Sequence, residues 1–379
     1  MSPAGIYIHI PFCERKCRYC DFYSVEAPGR FETYRTGVLA EIRRRRREAV
    51  PVVDSIAFGG GTPSLLPPAF YAQLLEALDA AFPLADDIEV TLEANPGTVD
   101  PSSLAGYRRA GIDRINLGVQ SFDDGQLRFL GRIHSAAQAR EAVAMARRAG
   151  FDNLGIDLIY GLPGQTVPAW QSNLAQALSL APDHLACYVL TYAPNTPLMA
   201  DRRAGGHRPA DEATVAALFE ATAETLDAAG FDHYEIPNHA AAAGRRSRHN
   251  LKYWTRAPYL GFGPSAHSFQ PPRRSWNVAD LAVYLERLAR GVRPEEEGEE
   301  LTRTQEMIET VFLGLRLAAG IDLAAFARQF GMPLEERAAA VLPALVADGF
   351  LLQTSDRLVP TRKGMRFHDS ISARLTGVL

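Results

Sequence analysis

The stretch FCERKCRYCDF, Phe12 to Phe22, holds Cys13, Cys17 and Cys20 in C-x3-C-x2-C spacing, while the fourth cysteine, Cys187, lies far along the chain. Three thiols this close together point to ligation of a soft metal. A structural zinc ion wants four closed ligands, and His9 would complete a Cys3His set. An iron–sulfur cluster is also held by thiolates, and three of them on a four-iron cluster leave one iron open to another ligand. Plain reactive or structural thiols account poorly for so tight a group in one loop. A second stretch, GGGTPS (Gly59 to Ser64), sets glycines in succession. These let a backbone approach a ligand without a Cβ in the way, although a tight turn explains the motif about as well.

These residues need a scaffold, and the rest of the chain supplies one. At 379 residues it can bury a full core and form more than one domain. With 40 basic and 44 acidic residues the net charge is −4, so nothing global argues for nucleic acid. Four cysteines clustered in this way do not form a secreted disulfide framework. There is no apolar run of membrane-spanning length and no basic start ahead of an apolar stretch, so a cytoplasmic location is expected. Short β-rich runs recur at Gly5 to Pro11, Ser55 to Gly61, Ile88 to Pro96, Arg114 to Ser121, Asn153 to Pro163 and His184 to Tyr192. Helical spacing of apolar residues separates them at Phe31 to Arg47, Pro68 to Ala81, Ala136 to Ala149 and Pro168 to Leu180. This alternation predicts βαβ units, and about six of them make an α/β fold with a partial (β/α)6 TIM-like barrel. Chemistry in such barrels sits at the C-terminal strand ends, where Gly59 to Thr62, Glu93, Gln120 and Asp157 fall.

Beyond the barrel, RPEEEGEE (Arg293 to Glu300) reads as a charged linker. Met307, Ile308, Val311, Phe312 and Leu315 then share one helical face. A second helix is expected over Ile321 to Gly331 with Asp322 as N-cap. A third is expected over Leu334 to Leu351, ended by Gly349, with a short strand and turn at Leu358 to Gly364. That is a small α-rich, winged-helix-like C-terminal domain, without the basic stripe of a DNA reader. The expected division is a barrel over residues 1–235, a capping extension over 236–295 and the winged-helix-like domain over 296–379. The arginine run Arg43 to Arg47 reads as a solvated helix end, with contact to an anionic membrane as the lesser alternative.

Taken together, the cysteine loop after the first strand and the glycine turn after the second resemble the radical S-adenosylmethionine superfamily. The resemblance implies a [4Fe-4S] cluster on Cys13, Cys17 and Cys20, whose open iron is chelated by the methionine part of S-adenosyl-L-methionine. The cofactor then supplies the radical chemistry and the protein supplies binding, orientation and shielding. YIHIPFCERKCRYCDF (Tyr7 to Phe22), EANP (Glu93 to Pro96), GVQSF (Gly118 to Phe122), LGRIH (Leu130 to His134) and DLIYGLPGQT (Asp157 to Thr166) resemble, more narrowly, the oxygen-independent coproporphyrinogen III oxidase group. That likeness implies Tyr7 stacked near the cluster loop and the backbone at Tyr19 against adenine. It implies Gly60, Gly61 and Thr62 at the methionine amino end and Arg132 paired with the methionine carboxylate. Glu93, Gln120 and Asp157 would reach towards ribose and methionine.

Two features depart from the oxidase. Phe22 stands where the oxidase has a further cysteine, and the first strand begins within a few residues of Met1. Both departures, with HNLKYW (His249 to Trp254) matching an HNxxYW pattern, are similar to the HemW heme chaperone subgroup. This resemblance implies heme as cargo and an acceptor protein as partner, with a membrane respiratory component as one candidate. Peripheral membrane contact and oligomerisation stay open, and no nucleic acid is expected. It also implies absence of coproporphyrinogen oxidase activity, with that oxidase chemistry, or another radical reaction, as the alternative. His249 is then a tentative heme residue, with Tyr253 and Trp254 to pack on a porphyrin and Lys252, Arg245, Arg246 or Arg248 to meet its propionates. If His249 is not the ligand, His267 or Cys187 is the next candidate.

Overall fold

The computed structural model describes residues 2–379. Six strands form the parallel centre of a sheet: β1 (Ala4–Ile10), β2 (Val53–Gly60), β3 (Leu84–Ala94), β4 (Arg114–Gln120), β5 (Asn153–Tyr160) and β6 (His184–Val189). Beside them run α1 (Phe31–Arg45), α2 (Pro68–Asp79), α3 (Pro101–Arg109), α4 (Asp124–Leu130), α5 (Ala136–Arg148) and α6 (Val167–Ser179). The strands are nearly continuous in buried apolar residues because helices cover one face and the barrel interior the other. After α7 (Pro197–Arg203) and α8 (Glu212–Ala228), β7 (Asp232–Glu235) and β8 (Asn238–Ala240) extend the β6 edge as antiparallel strands.

The other edge grows from β1. Helix α9 (Arg248–Trp254) leads into β9 (Tyr259–Phe262), which runs parallel to β1, and then into β10 (His267–Gln270) and β11 (Arg273–Asn277). Helix α10 (Leu281–Ala289) precedes β12 (Glu295–Glu300) at the margin. The order is β12-β11-β10-β9-β1-β2-β3-β4-β5-β6-β8-β7, so the sheet curves into a partial barrel and does not close.

Two expectations are corrected here. The acidic segment taken as a linker is strand β12, antiparallel to β11. Five of its six residues are glutamates, a poor strand composition by itself. Ion pairs of Glu295 with Arg273 and of Glu299 with Arg274 offset two of these charges, and the remaining charge disfavours pairing of the exposed sheet edge with another chain. The arginine run is also not wholly solvated. Arg45 turns inward, donates to the Gly261 carbonyl at 2.6 Å and pairs with Glu48 at 3.0 Å.

The C-terminal part has its own core, built from Met307, Val311, Phe326, Phe330, Leu345, Leu358, Leu375 and their neighbours. Its elements are α11 (Arg303–Gly314), β13 (Ile321–Asp322), α12 (Leu323–Phe330), α13 (Leu334–Arg337), α14 (Leu342–Ala347), β14 (Leu351–Gln353), β15 (Arg357–Pro360), α15 (Arg362–Arg366) and α16 (His368–Thr376). Asp322 caps α12 by accepting from the Ala325 amide at 2.6 Å. The single helix expected over Leu334 to Leu351 is broken in two. Pro343 lacks an N–H and would clash with the preceding turn, so it starts α14 instead of continuing α13.

Candidate functional site

The cysteine loop is held in place from both sides. On the β1 side, the Cys13 amide donates to the Val25 carbonyl at 3.1 Å and the Thr62 amide to the Phe12 carbonyl at 2.6 Å, with the Phe12 side chain in the core. On the far side, the Arg18 amide donates to Leu130, the Leu198 amide to Arg18, and the Arg18 guanidinium pairs with Asp201 at 2.9 Å. These contacts present Cys13, Cys17 and Cys20, all free thiols, to one cavity of about 380 Å³. Tyr19, Gly60, Gly61, Thr62, Glu93, Gln120, Arg132 and Asp157 line the same cavity. Asn95, Asn116 and Gly118 line it too and were missed. Asn95 lay within the quoted EANP motif, and Asn116 was detectable as a polar residue inside an apolar strand.

The glycine turn leaves no room for side chains. Gly60 sits at φ +105°, and a Cβ there would lie 2.5 Å from the His9 ring. A Cβ on Gly61 would lie 2.5 Å from the Phe12 carbonyl oxygen, which is backbone and cannot swing away. We expect Gly61→Ala to cost about 3 kcal/mol or more through overpacking. Urea unfolding of the apoprotein measures this, and a stability equal to wild type would show that the turn is not so confined. Gln120 adds strain of a kind that concentrates at functional sites, being held at φ +68° where β4 breaks register with β5.

Arg132 is the charged centre of the wall. It donates to Cys17 Sγ at 3.2 Å, to the Gly118 carbonyl at 2.7 Å and to Asn95 Oδ1. The Thr62 hydroxyl donates to Cys13 Sγ at 3.5 Å. Opposite stand two carboxyls. Glu93 opens onto the cavity but is enclosed by the barrel, and this desolvation, with the charge of Asp157 added, pushes it up to about 7. Burial likewise raises Asp157 to about 6, against the pull of neighbouring donors and arginines.

This donor set fits a cluster and a zwitterionic sulfonium cofactor. Arg132 Nε and Asp157 Oδ1 are buried without protein partners, a cation and an anion left for the opposite charges of a ligand. The glycine cradle leaves backbone room beside the thiols. A single zinc ion fits worse. Among the described residues no three His, Cys, Asp or Glu side chains are grouped closely enough to hold one metal ion. His9 is already engaged, by the Tyr23 carbonyl at 2.8 Å and the Tyr7 hydroxyl at 3.2 Å. Burial lowers it to about 4, so it is neutral.

Other expected site residues lie elsewhere. Tyr7 is not on the cavity wall; it stands behind Gly59 and stacks on the His249 ring with centroids 6.1 Å apart. His249 is buried at the start of α9, against β1 and β2. One ring nitrogen lies 2.8 Å from the Tyr253 hydroxyl and the other 3.4 Å from the Ser55 hydroxyl. In this conformation both ring nitrogens are engaged within the protein, and His249 is a hydrogen-bonded interior histidine. The cations expected at the propionates are also taken: Lys252 by Asp54, Arg245 by Asp183, Arg246 by Asp232 and Arg248 by Asp87. Trp254 lies under the Arg316 guanidinium, 4.2 Å from its ring centre. His267 stacks on Trp276 in β10, away from the cavity. Cys187 is buried in β6, and burial pushes its thiol well up.

The His249 environment has a pH signature. Burial lowers its pKa from 6.5 to about 3, so the unfolded chain binds its proton first as pH falls. Its contribution to stability is complete above pH 6.5 and is lost progressively between 6.5 and 3, at up to about 1.4 kcal/mol per pH unit. Denaturation of wild type and His249→Gln should therefore converge as pH falls through this window. Parallel pH profiles would show that His249 is solvated.

An incomplete parallel β/α barrel with three free thiols and a glycine cradle at its mouth defines a radical S-adenosylmethionine protein, and residues 7–172 match the family described as the Radical SAM superfamily. Residues 301–367 match the HemN C-terminal domain. The heme chaperone HemW of Bacillus subtilis (strain 168) is 32% identical over 377 residues, covering 98% of this chain and 99% of that one. Its counterpart in Mycobacterium tuberculosis (strain H37Rv) is 36% identical over 382 residues, 99% of this chain and 95% of that one. The one in Escherichia coli K12 is 39% identical over 277 residues, 70% of each chain. The chain belongs to the HemW heme chaperone family. Its fold matches coproporphyrinogen III oxidase (HemN) from Escherichia coli with a TM-score of 0.85, over 100% of this chain and 91% of that one, at 23% identity. At that identity the likeness concerns the fold alone.

Proposed function

We propose that this chain binds heme and passes it to an acceptor protein, with a [4Fe-4S] cluster and S-adenosyl-L-methionine as resident cofactors. The observation that carries the reading is the nearly end-to-end match to chains named heme chaperones. In this reading Cys13, Cys17 and Cys20 hold the cluster. Gly60, Gly61 and Thr62 receive the amino end of the sulfonium cofactor on bare backbone. Arg132 pairs with its carboxylate. Glu93, Gln120 and Asp157 take its remaining polar groups. When bound, a four-iron cluster with one iron free of protein ligands supplies one-electron reduction of the sulfonium cofactor. The chain's own part is to seat these groups on a wall shielded from water by the barrel.

Among the described residues no helix is long and apolar enough to cross a membrane. The test is anaerobic reconstitution with iron and sulfide followed by hemin titration, with a parallel assay on coproporphyrinogen III, S-adenosylmethionine and a reductant. Stoichiometric hemin uptake without porphyrin decarboxylation is the expected result. Turnover of coproporphyrinogen would assign the oxidase activity instead.

A further inference from the structure

Arg18, between Cys17 and Cys20, ties the cysteine loop to two elements far along the chain. Its amide donates to the Leu130 carbonyl at 3.3 Å, and its own carbonyl accepts from the Leu198 amide at 2.9 Å. Its guanidinium donates to the Phe129 carbonyl at 3.3 Å and to the Asp201 carboxylate at 2.9 Å. One loop residue is thereby joined both to the end of α4 and to α7. The next residue, Tyr19, packs against a small separate core that includes Leu130, Leu190 and Leu198.

The carboxylate in this arrangement is itself held. His207 Nδ1 lies 2.9 Å from the same Asp201 oxygen that Arg18 reaches. The His207 ring is fixed between Tyr192, near-parallel with centroids 5.6 Å apart, and Phe129, edge-on at 5.2 Å. The His207 side chain is only 7% exposed, and its Nε2 is buried without a protein partner, so no second bond competes for the ring. Gly206 keeps room for the carboxylate, because a Cβ there would overlap Asp201 Oδ1. A surface ion pair usually contributes little, since two mobile side chains must be held in one geometry. Here a buried ring presets one partner, and backbone bonds on either side preset the other.

This attachment bears on the charged wall of the cavity. The end of α4 runs through Gly131 directly into Arg132, whose guanidinium reaches Cys17 Sγ at 3.2 Å. Gly131 sits at φ +77° against Arg18, where a Cβ would come within 3.0 Å of the Arg18 side chain, and its carbonyl accepts from Arg15 at 2.9 Å. The same short segment, residues 129–132, therefore receives Arg18 and carries Arg132. We propose that Asp201, seated by His207, is a positioning residue that fixes the cysteine loop against this segment through Arg18, and so sets Cys17 relative to Arg132. This rests on the reading of a cluster and S-adenosylmethionine as resident cofactors given above. Asp201 does not line the cavity, so its influence on the site passes through Arg18.

The test is S-adenosylmethionine binding to the anaerobically reconstituted protein. Calorimetry gives the affinity, and the change that the cofactor causes in the electron paramagnetic resonance of the reduced cluster reports its approach to the iron. Asp201→Ala should weaken binding about threefold or more and diminish that spectral change. Iron content and the thermal unfolding midpoint should stay at wild-type values, because the Asp201 side chain is 34% exposed and lies outside the apolar cores. Asp201→Asn, which still accepts from Arg18 but carries no charge, should fall between the two. Arg18→Met keeps the aliphatic stem and loses the guanidinium. Adding Asp201→Ala to it should cost nothing further, since the two residues act as one pair. Wild-type affinity in Asp201→Ala would overturn the proposal, as would an equal loss from that substitution in the wild-type and Arg18→Met backgrounds. A loss that merely tracks a lowered unfolding midpoint would make the role structural and overturn it too. Failure of wild type itself to take up iron or S-adenosylmethionine would remove the cofactor reading and this proposal with it.

Discussion

Cys17→Ala should lose nearly all of the iron that the reconstituted wild-type protein takes up, about four atoms per chain. Cys17 lies at the centre of the loop, and its sulfur is the one that Arg132 approaches at 3.2 Å. Two remaining thiols leave a second iron of a four-iron cluster without a protein ligand, and such a cluster is open to loss. Cys13→Ala and Cys20→Ala should behave in the same way. Cys187→Ala is the control, because that thiol is buried in β6 and absent from the cavity lining. It should load iron fully and lose only the small packing contribution of a buried thiol. Iron and acid-labile sulfide assays with the visible absorption band decide the matter. Equal losses at Cys17 and Cys187, or one zinc per chain in freshly purified protein, would refute the cluster assignment.

Arg132→Ala should weaken S-adenosylmethionine binding by about 10²-fold to a few thousandfold, corresponding to the roughly 3–5 kcal/mol lost when a buried charge is left without its partner. The guanidinium is preorganised for this role. The Gly118 carbonyl and Asn95 hold one terminal nitrogen, the other faces Cys17, and Nε is buried with no partner in the protein. Arg132→Lys keeps the charge but not the planar fork, and should fall between the two. Calorimetry on the reconstituted protein measures the affinity, and iron content measured in parallel shows whether the cluster survives. An unchanged affinity with the cluster intact would remove Arg132 from the cofactor site.

The site was legible where its chemistry is local. Cys13, Cys17 and Cys20 lie within one loop, so their spacing alone brings them together. Gly60 and Gly61 are readable because only glycine tolerates the approach of Phe12 and His9. The strand and helix order was legible for a related reason: repeated alternation of apolar runs leaves few ways to bury them other than a parallel sheet with helices outside. The HNxxYW segment shows the opposite case. His249 and Lys252 are chemically capable side chains, but their state depends on Ser55 and Asp54, which lie far away in sequence. No local pattern encodes that pairing.

Sequence by itself thus determined the three-cysteine loop, the glycine cradle and the β/α framework, because each follows from spacing within one segment. Only the tertiary structure decided that the glutamate-rich segment is a strand, since Arg273 and Arg274 on the neighbouring strand pair with two of its glutamates. It likewise decided that His249 is closed off by its partners across β2 and α9. And it left Tyr188 and Val189 exposed at an open edge, because whether a strand end is covered depends on where the next strand stops pairing, a long-range property that no residue type announces.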